Sequence, residues 1–546
     1  MKEKLIDGIS RPAIVAAMTI LLLTPFLTKA FNIDETLFLW AARQIRTAPF
    51  DFYGFDANWY GTVMPMSSIN QNPPIVSYFI ALISELFNNS EITLHIAFLL
   101  PALGVTVGVF YLARIFQLPP LTASLITISS PVFLVTATTI MSDTLMLAFY
   151  LWAMIFWIIG RKENKTFLLP IAAFSICLAT FTKYFGVTLI PLLIIYTVWE
   201  EQKIGTWLFY FLIPVAAIFG YEMWTNALYG HGLLLGAGHY AASFGVEDPV
   251  SFIKKTIIGF SFMGGCSPGI LLLTPFLWRR QLGALATAVL CIMLFTAIFY
   301  SALFPGFEFG PEQRNLLFSL QFAVFCCTGL QILILAIIEP LYRKDGLSIL
   351  ISSLILGTFI FAVYLNWTTN SRSILPMIPA LSLLTVRRLV VINRPSFYLT
   401  KVIVSSAVSL SLAMIIGLAD MSLANNQKIA ASIIHDKYGK NQGIVWYQGH
   451  WGFQYYMDSY GFHAVDFRHF APGQGDFLIM PINNTNILEL NPSRFQALET
   501  ITLKAFPWAS TFHPAVGAGF YTSLWGPLPY ALGKSPDELF KVYMTL

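Results

Sequence analysis

The sequence predicts a polytopic all-α membrane protein of about 13 transmembrane helices, with a small C-terminal α/β domain on the outer face. Three observations predict it. Hydrophobic residues make up 56% and charged residues only 11% of the 546. With a mean hydropathy of +0.67, this is more apolar surface than a soluble chain of this size can hide. Apolar runs of spanning length recur through residues 1–420, and the strongly basic turns between them all fall on one side. Beyond residue 420 the chain becomes more polar and carries strand signals.

Lys2, Lys4 and Arg11 hold the start of the chain inside. The first span, residues 12–30, therefore delivers residues 31–35 to the outside. It is expected to be retained, because Thr28-Lys29-Ala30 is a poor cleavage site. Residues 31–90 form a first outer loop. Arg43, Arg46, Asp51 and Asp56 make its first part too polar to span, and the apolar stretch 75–87 is short enough to lie along the interface. Counting that stretch as a span would invert everything after it.

Leaving it uncounted, span 92–113 places Arg114 inside and the next returns outward at Ser142-Asp143. Spans 144–160, 166–182 and 184–199 then pass Arg161-Lys162 inside, Lys183 outside and Lys203 inside. Spans near 204–225, 256–278, 281–303, 315–338, 347–365, 373–386 and 397–419 put Arg279-Arg280, Arg343-Lys344 and Arg387-Arg388 inside as well. The plasma (inner) membrane is the expected location, with residues 421–546 as an extracytoplasmic α/β domain. Strands are expected at 443–448, 463–467 and 476–480, and a short aromatic helix at 451–460.

A net charge of +4, spread along the chain, fits loop orientation and excludes a nucleic-acid surface. The five cysteines sit in apolar runs without metal-ligand spacing, so no disulfide or zinc framework is visible.

Ionisable residues at membrane depth cost about 2.5–3.5 kcal/mol and so need a partner or a task. Asp34-Glu35 meets the outer face ahead of a helix-like run, as helix cap, general base or metal ligand. Asp143 breaks an apolar run too long for one helix, either as a turn acid or facing a cavity. Lys183 divides residues 166–199, which as one helix would extend about 51 Å against a core of about 30 Å. It either snorkels or clamps a phosphate, and Arg372 is a span-end anchor or a second clamp. Span parity puts all four on one face. Two carboxylates and two cations there suit attack of a hydroxyl or amine on a sugar whose lipid-anchored phosphate departs.

The order of these features resembles the C-type glycosyltransferase superfamily, specifically the bacterial branch related to protein O-mannosyltransferases and lipid A aminoarabinose transferases. The resemblance covers about 420 residues and runs through Asp34-Glu35, Asn72-Pro73-Pro74-Ile75 and Ser130-Pro131 leading to Met141-Ser142-Asp143. It continues with Thr182-Lys183-Tyr184-Phe185-Gly186 and Arg372-Ser373-Ile374-Leu375-Pro376, with Pro379 close behind. It implies a polyprenyl-phosphate-linked sugar as donor, inverting displacement, and a lipid, glycan or protein acceptor. Asp34 matches the family's catalytic base, with Glu35 supporting it or binding the acceptor. Asp143 and Asn72 would line the acceptor cavity, and Lys183 and Arg372 would lie near the donor phosphate. Asn72 departs from the His or Lys that relatives often carry before the Pro-Pro pair. The chain also lacks the Trp-Trp-Asp triplet of oligosaccharyltransferases, which disfavours en bloc oligosaccharide transfer.

No cofactor is required by any motif, although the acidic pair would also serve a divalent metal, and His231 and His239 lie in one loop without regular ligand spacing. Residues 449–456, rich in aromatics, read either as a sugar-binding surface or, preferably, as a packed helix over the cavity mouth. Two other classes compete: a secondary transporter or lipid flippase, which would show repeats and mid-membrane charges, and an assembly scaffold, which would tolerate loss of Asp34.

Overall fold

The computed structural model describes residues 2–245, 249–278, 316–392 and 395–546, with a few positions between 285 and 293. Among these, eight helices are long and apolar enough to cross a membrane: Glu91–Ile115, Ser142–Lys162, Tyr184–Glu201, Thr206–Tyr229, Leu316–Arg343, Gly346–Leu365, Ser371–Val390 and Leu399–Tyr438. Two further expected spans are bent helix pairs, and Arg11–Phe26 and Leu168–Thr182 are shorter apolar helices. The expected span 281–303 and the Arg279-Arg280 turn lie outside the described residues.

The bent pairs explain a cluster of serines. Pro120–Ile128 meets Pro131–Ala137 at 70°, and Ser251–Gly265 meets Pro268–Thr274 at 85°. A break of this kind frees backbone carbonyls that apolar surroundings leave unpaired. Ser409 donates to Ser129 O at 2.8 Å, Ser130 to Cys266 O at 2.9 Å, and Ser405 to Gly269 O at 2.5 Å. Each serine thus satisfies a carbonyl at or beside a break.

The basic turns converge as span parity requires. Glu339, buried at the end of Leu316–Arg343, pairs with Arg388 at 2.7 Å, Arg343 at 3.4 Å and Arg387 at 3.5 Å. Arg372 and Arg387 stand 15 residues apart on Ser371–Val390, about 22 Å along the helix axis. The Glu339 cluster and Arg372 therefore occupy opposite ends of this span.

Residues 31–90 fold as a helix Glu35–Thr47, a hairpin of Asp56–Asn58 and Val63–Pro65, and a 12-residue helix Ile75–Leu86. The last spanning helix, Pro395–Tyr438, is continuous across the expected domain boundary at 420/421. Its 44 residues extend about 66 Å, so an apolar stem carries a polar continuation that begins at Asp420. Beyond it lies a five-stranded mixed sheet. His463–Ala464, Val445–Tyr447 and Phe477–Pro481 run parallel, followed by Glu538–Thr545 and Phe495–Leu503 antiparallel. The first three strands and helix Trp451–Ser459 lie where the sequence pattern puts them; the last two follow from no alternation read in the sequence. That helix packs onto the first loop. Tyr456 Oη accepts from Phe31 N at 2.8 Å, and the Trp451 carbonyl accepts from Thr36 Oγ1 at 2.9 Å. A Cβ on Gly452 would stand 2.1 Å from Phe31 O, so only glycine permits the approach.

Candidate active site

Four of the six residues singled out in the sequence meet in one chain of alternating charge. Arg372 Nη2 donates to Asp34 Oδ2 at 2.9 Å, its Nη1 stands 3.8 Å from Asp143 Oδ2, and Lys183 Nζ reaches Asp143 Oδ1 at 2.5 Å. Each comes from a helix end or break. Asp34 is the residue before helix Glu35–Thr47 but makes no capping bond with its side chain, so the capping role is not taken. Asp143 opens Ser142–Lys162. Lys183 is the extended residue where Leu168–Thr182 ends and the next turn begins, and Arg372 lies in the first turn of Ser371–Ile374, capped by Asn370. Exposure falls from Asp34 at 33% through Arg372 at 14% to Asp143 at 1%, and rises again to 20% at Lys183. The open end is Asp34.

Glu35 faces inward. At 1% exposure it accepts from Asn32 N at 2.7 Å and Ile140 N at 2.9 Å, bracing the Asp34 turn against the loop that leads into Asp143. Burial pushes its carboxyl up to about 7, against the opposing pull of Lys29 and the two backbone N–H groups. Asn72 does not join the cluster through any hydrogen bond: its amide and backbone N–H donate to Asn70 Oδ1, and its carbonyl accepts from Tyr53.

A second layer of residues, missed in the sequence, lies behind Arg372. The Tyr521 ring sits 5.5 Å from the guanidinium carbon. Its hydroxyl donates to Asp420, which pairs with Lys29 at 2.6 Å. Lys29 and Asp420 are each 1% exposed. Their signal was present, since a Lys and an Asp inside apolar runs are costly unless they find each other. Tyr240 lies edge-on to Trp367 at 6.0 Å.

Among the described residues no group of three or more His, Cys, Asp or Glu side chains converges as a metal site. Asp34 and Asp143 are already held by cations, and the His231 ring faces the Tyr229 and Ser67 carbonyls. His450 is buried, stacked on Trp59 at 5.4 Å, and burial lowers it to about 4. Residues 451–456 belong to a packed helix, with Gly452, Phe453, Gln454 and Tyr456 buried, rather than to an open sugar platform.

The dolichyl-phosphate-mannose-protein mannosyltransferase family model matches residues 71–224. No curated protein matches the sequence. Among solved structures, the archaeal oligosaccharyltransferase AglB from Archaeoglobus fulgidus, in complex with an inhibitory peptide and a dolichol-phosphate, superposes with a TM-score of 0.51 at 11% identity. The match covers 85% of this chain and 64% of that one. The chain has the fold of the C-type glycosyltransferase superfamily. ArnT from Cupriavidus metallidurans bound to undecaprenyl phosphate matches at 13% identity and a TM-score of 0.42, over 86% of this chain and 93% of that one. The arabinofuranosyltransferase AftD from Mycobacteria matches at 12% and 0.38, over 98% and 39%. The transporter reading finds no support in the family match. In this C-type fold the family-model match begins at Gln71, beside Asn72, and includes both Asp143 and Lys183.

Proposed function

We propose that the protein is a glycosyltransferase that moves a single sugar from a polyprenyl-phosphate carrier to a lipid, glycan or protein acceptor at the outer, extracytoplasmic face of the plasma membrane. The observation that carries this reading is the Asp34–Arg372–Asp143–Lys183 chain, open at Asp34 and closed at Asp143. The acceptor hydroxyl or amine attacks the anomeric carbon as the bond from that carbon to the phosphate oxygen breaks, with inversion. Asp34 takes the acceptor's proton. Arg372 and Lys183, whose donors lie on either side of Asp143, stabilise the charge that builds on the departing phosphate. Asp143 holds both cations in place, and Glu35 fixes the turn that aims Asp34.

A lipid-phosphate carrier is supported by the family model's own donor and by the dolichol-phosphate in AglB. A single sugar is supported by the missing Trp-Trp-Asp triplet. The proposal needs no metal, since the four charged side chains already supply a base and the countercharge for the phosphate.

The test incubates purified protein with a panel of radiolabelled polyprenyl-phosphate sugars and membrane extract, comparing wild type with Asp34→Asn. Label moving to an acceptor with wild type, and falling by about 100-fold or more in the variant, supports the reading. Wild type that moves label from no donor in a broad panel overturns it.

A further inference from the structure

An arginine that must meet a departing phosphate is useful only if its guanidinium is already aimed, because the free side chain samples many rotamers. Arg372 lies in the first turn of Ser371–Val390, with no helical turn before it to hold its side chain. The hold comes instead from the C-terminal domain. Ser371 N donates to Phe520 O at 2.9 Å and Ser523 N to Thr369 O at 2.8 Å, while the Thr368 hydroxyl meets those of Thr522 and Ser523 at 2.8 and 3.0 Å. Residues 520–523 are thus stitched along the backbone that leads into Arg372. Between these stitches Tyr521, 4% exposed, turns its ring toward the guanidinium, 5.5 Å away.

The ring is itself tethered. Its hydroxyl donates to both Asp420 oxygens, at 3.0 and 2.9 Å, and Asp420 also accepts from Thr511 at 2.8 Å and Lys29 at 2.6 Å. Lys29 donates in turn to Thr138 O at 3.2 Å, in the loop whose Met141 sulfur accepts from Arg372 Nη1 at 2.7 Å. A closed circuit results. Within it the guanidinium meets Asp34 through Nη2, and Met141 and Asp143 through Nη1.

We propose that Tyr521, tethered by Asp420, is a positioning residue that makes the C-terminal domain part of the phosphate site by aiming Arg372. This rests on the reading of Arg372 as a donor-phosphate ligand. A merely packed Tyr521, in contact with Phe512 at 5.6 Å, would affect folding without depending on Arg372.

The experiment measures binding of undecaprenyl phosphate, the probe, to the detergent-purified full chain as wild type, Arg372→Ala, Tyr521→Leu, Tyr521→Phe and the two double variants with Arg372→Ala. Thermal unfolding is recorded for each. Arg372→Ala is expected to weaken binding about tenfold or more, the worth of a charge-assisted bond. Tyr521→Leu should weaken it by a similar factor and Tyr521→Phe about threefold, and both effects should vanish when Arg372 is already Ala. Wild type that binds no probe, or Arg372→Ala that binds like wild type, overturns the reading of the site. A loss in Arg372→Ala with Tyr521→Phe at wild-type affinity, or with a Tyr521 effect that persists in the Arg372→Ala background, overturns the positioning role alone. If Tyr521→Leu does not fold, Tyr521→Phe, which keeps the ring, decides.

Discussion

Removing Lys29 tests whether the buried pair behind the site holds the two parts of the molecule together. Lys29 Nζ and Asp420 Oδ2 are 2.6 Å apart, both 1% exposed. At an effective dielectric constant of about 20, unit charges at that distance attract by about 6 kcal/mol before desolvation is counted. Desolvation takes back most of this for the intact pair, but deleting one partner leaves the other charge buried, at a cost of about 3–5 kcal/mol. Asp420 keeps the Thr511 and Tyr521 hydroxyls as donors, which places Lys29→Met near the lower end, about 3 kcal/mol. Lys29→Met combined with Asp420→Asn removes both charges and keeps an acceptor for the hydroxyls, so it should recover to within about 1 kcal/mol of wild type. The assay is unfolding by titration with a denaturing detergent, followed by tryptophan fluorescence. A single variant that loses less than about 1 kcal/mol, the scale of an exposed pair, refutes the reasoning.

Three further outcomes are expected. Glu35 keeps its proton to about pH 7 in the folded chain against 4.5 when unfolded, so the folded state binds more protons in that window and stability falls as pH rises through it. Glu35→Gln should flatten that part of the stability profile; an unchanged slope would assign it to Asp458 or Glu538, which burial raises to about 6 and about 7. Arg372→Lys keeps the charge but cannot reach Asp34 and Met141 with a planar fork, and transfer should drop by more than about tenfold at unchanged expression. Ser409→Ala orphans the Ser129 carbonyl at a helix break and should cost about 1–3 kcal/mol in the same unfolding titration, whereas Ser411→Ala, whose serine bonds its own helix at Ala407 O, should cost less.

Span parity made the site legible because it depends only on where Lys and Arg sit between apolar runs. Asp34, Asp143, Lys183 and Arg372 were placed on one face by that count, and their side chains are in contact. Arg343, Arg387 and Arg388 share Glu339 for the same reason. Glu35 was harder, since adjacency to Asp34 says nothing of direction. On entering a helix two neighbours point about 100° apart, and one faces the cleft while the other is buried. Lys29 and Asp420 are separated by 391 positions, and no periodicity links residues so far apart. Strands Phe495–Leu503 and Glu538–Thr545 escaped because their partners are set by the sheet rather than by local alternation. The former shows one buried and eight half-exposed or exposed positions.

On the proposed reading, the difference in exposure between the two carboxylates decides which of them accepts the proton. Asp143 has Lys183 at 2.5 Å and Arg372 at 3.8 Å and is closed to solvent, so an acceptor cannot approach it. Asp34 is a third exposed and held by one partner, Arg372. An arriving phosphate competes with Asp34 for that guanidinium. On the proposed reading the base is therefore masked until the donor is bound, and binding of the donor releases it. Asp34→Asn should then separate two quantities that a folding defect would lower together. Transfer should fall by about 100-fold or more. Undecaprenyl phosphate should bind at least as tightly as to wild type, because the carboxylate that competes with it has gone. Weaker phosphate binding in Asp34→Asn, with unfolding unchanged, would mean that Asp34 organises Arg372 for the donor and that the proton goes elsewhere.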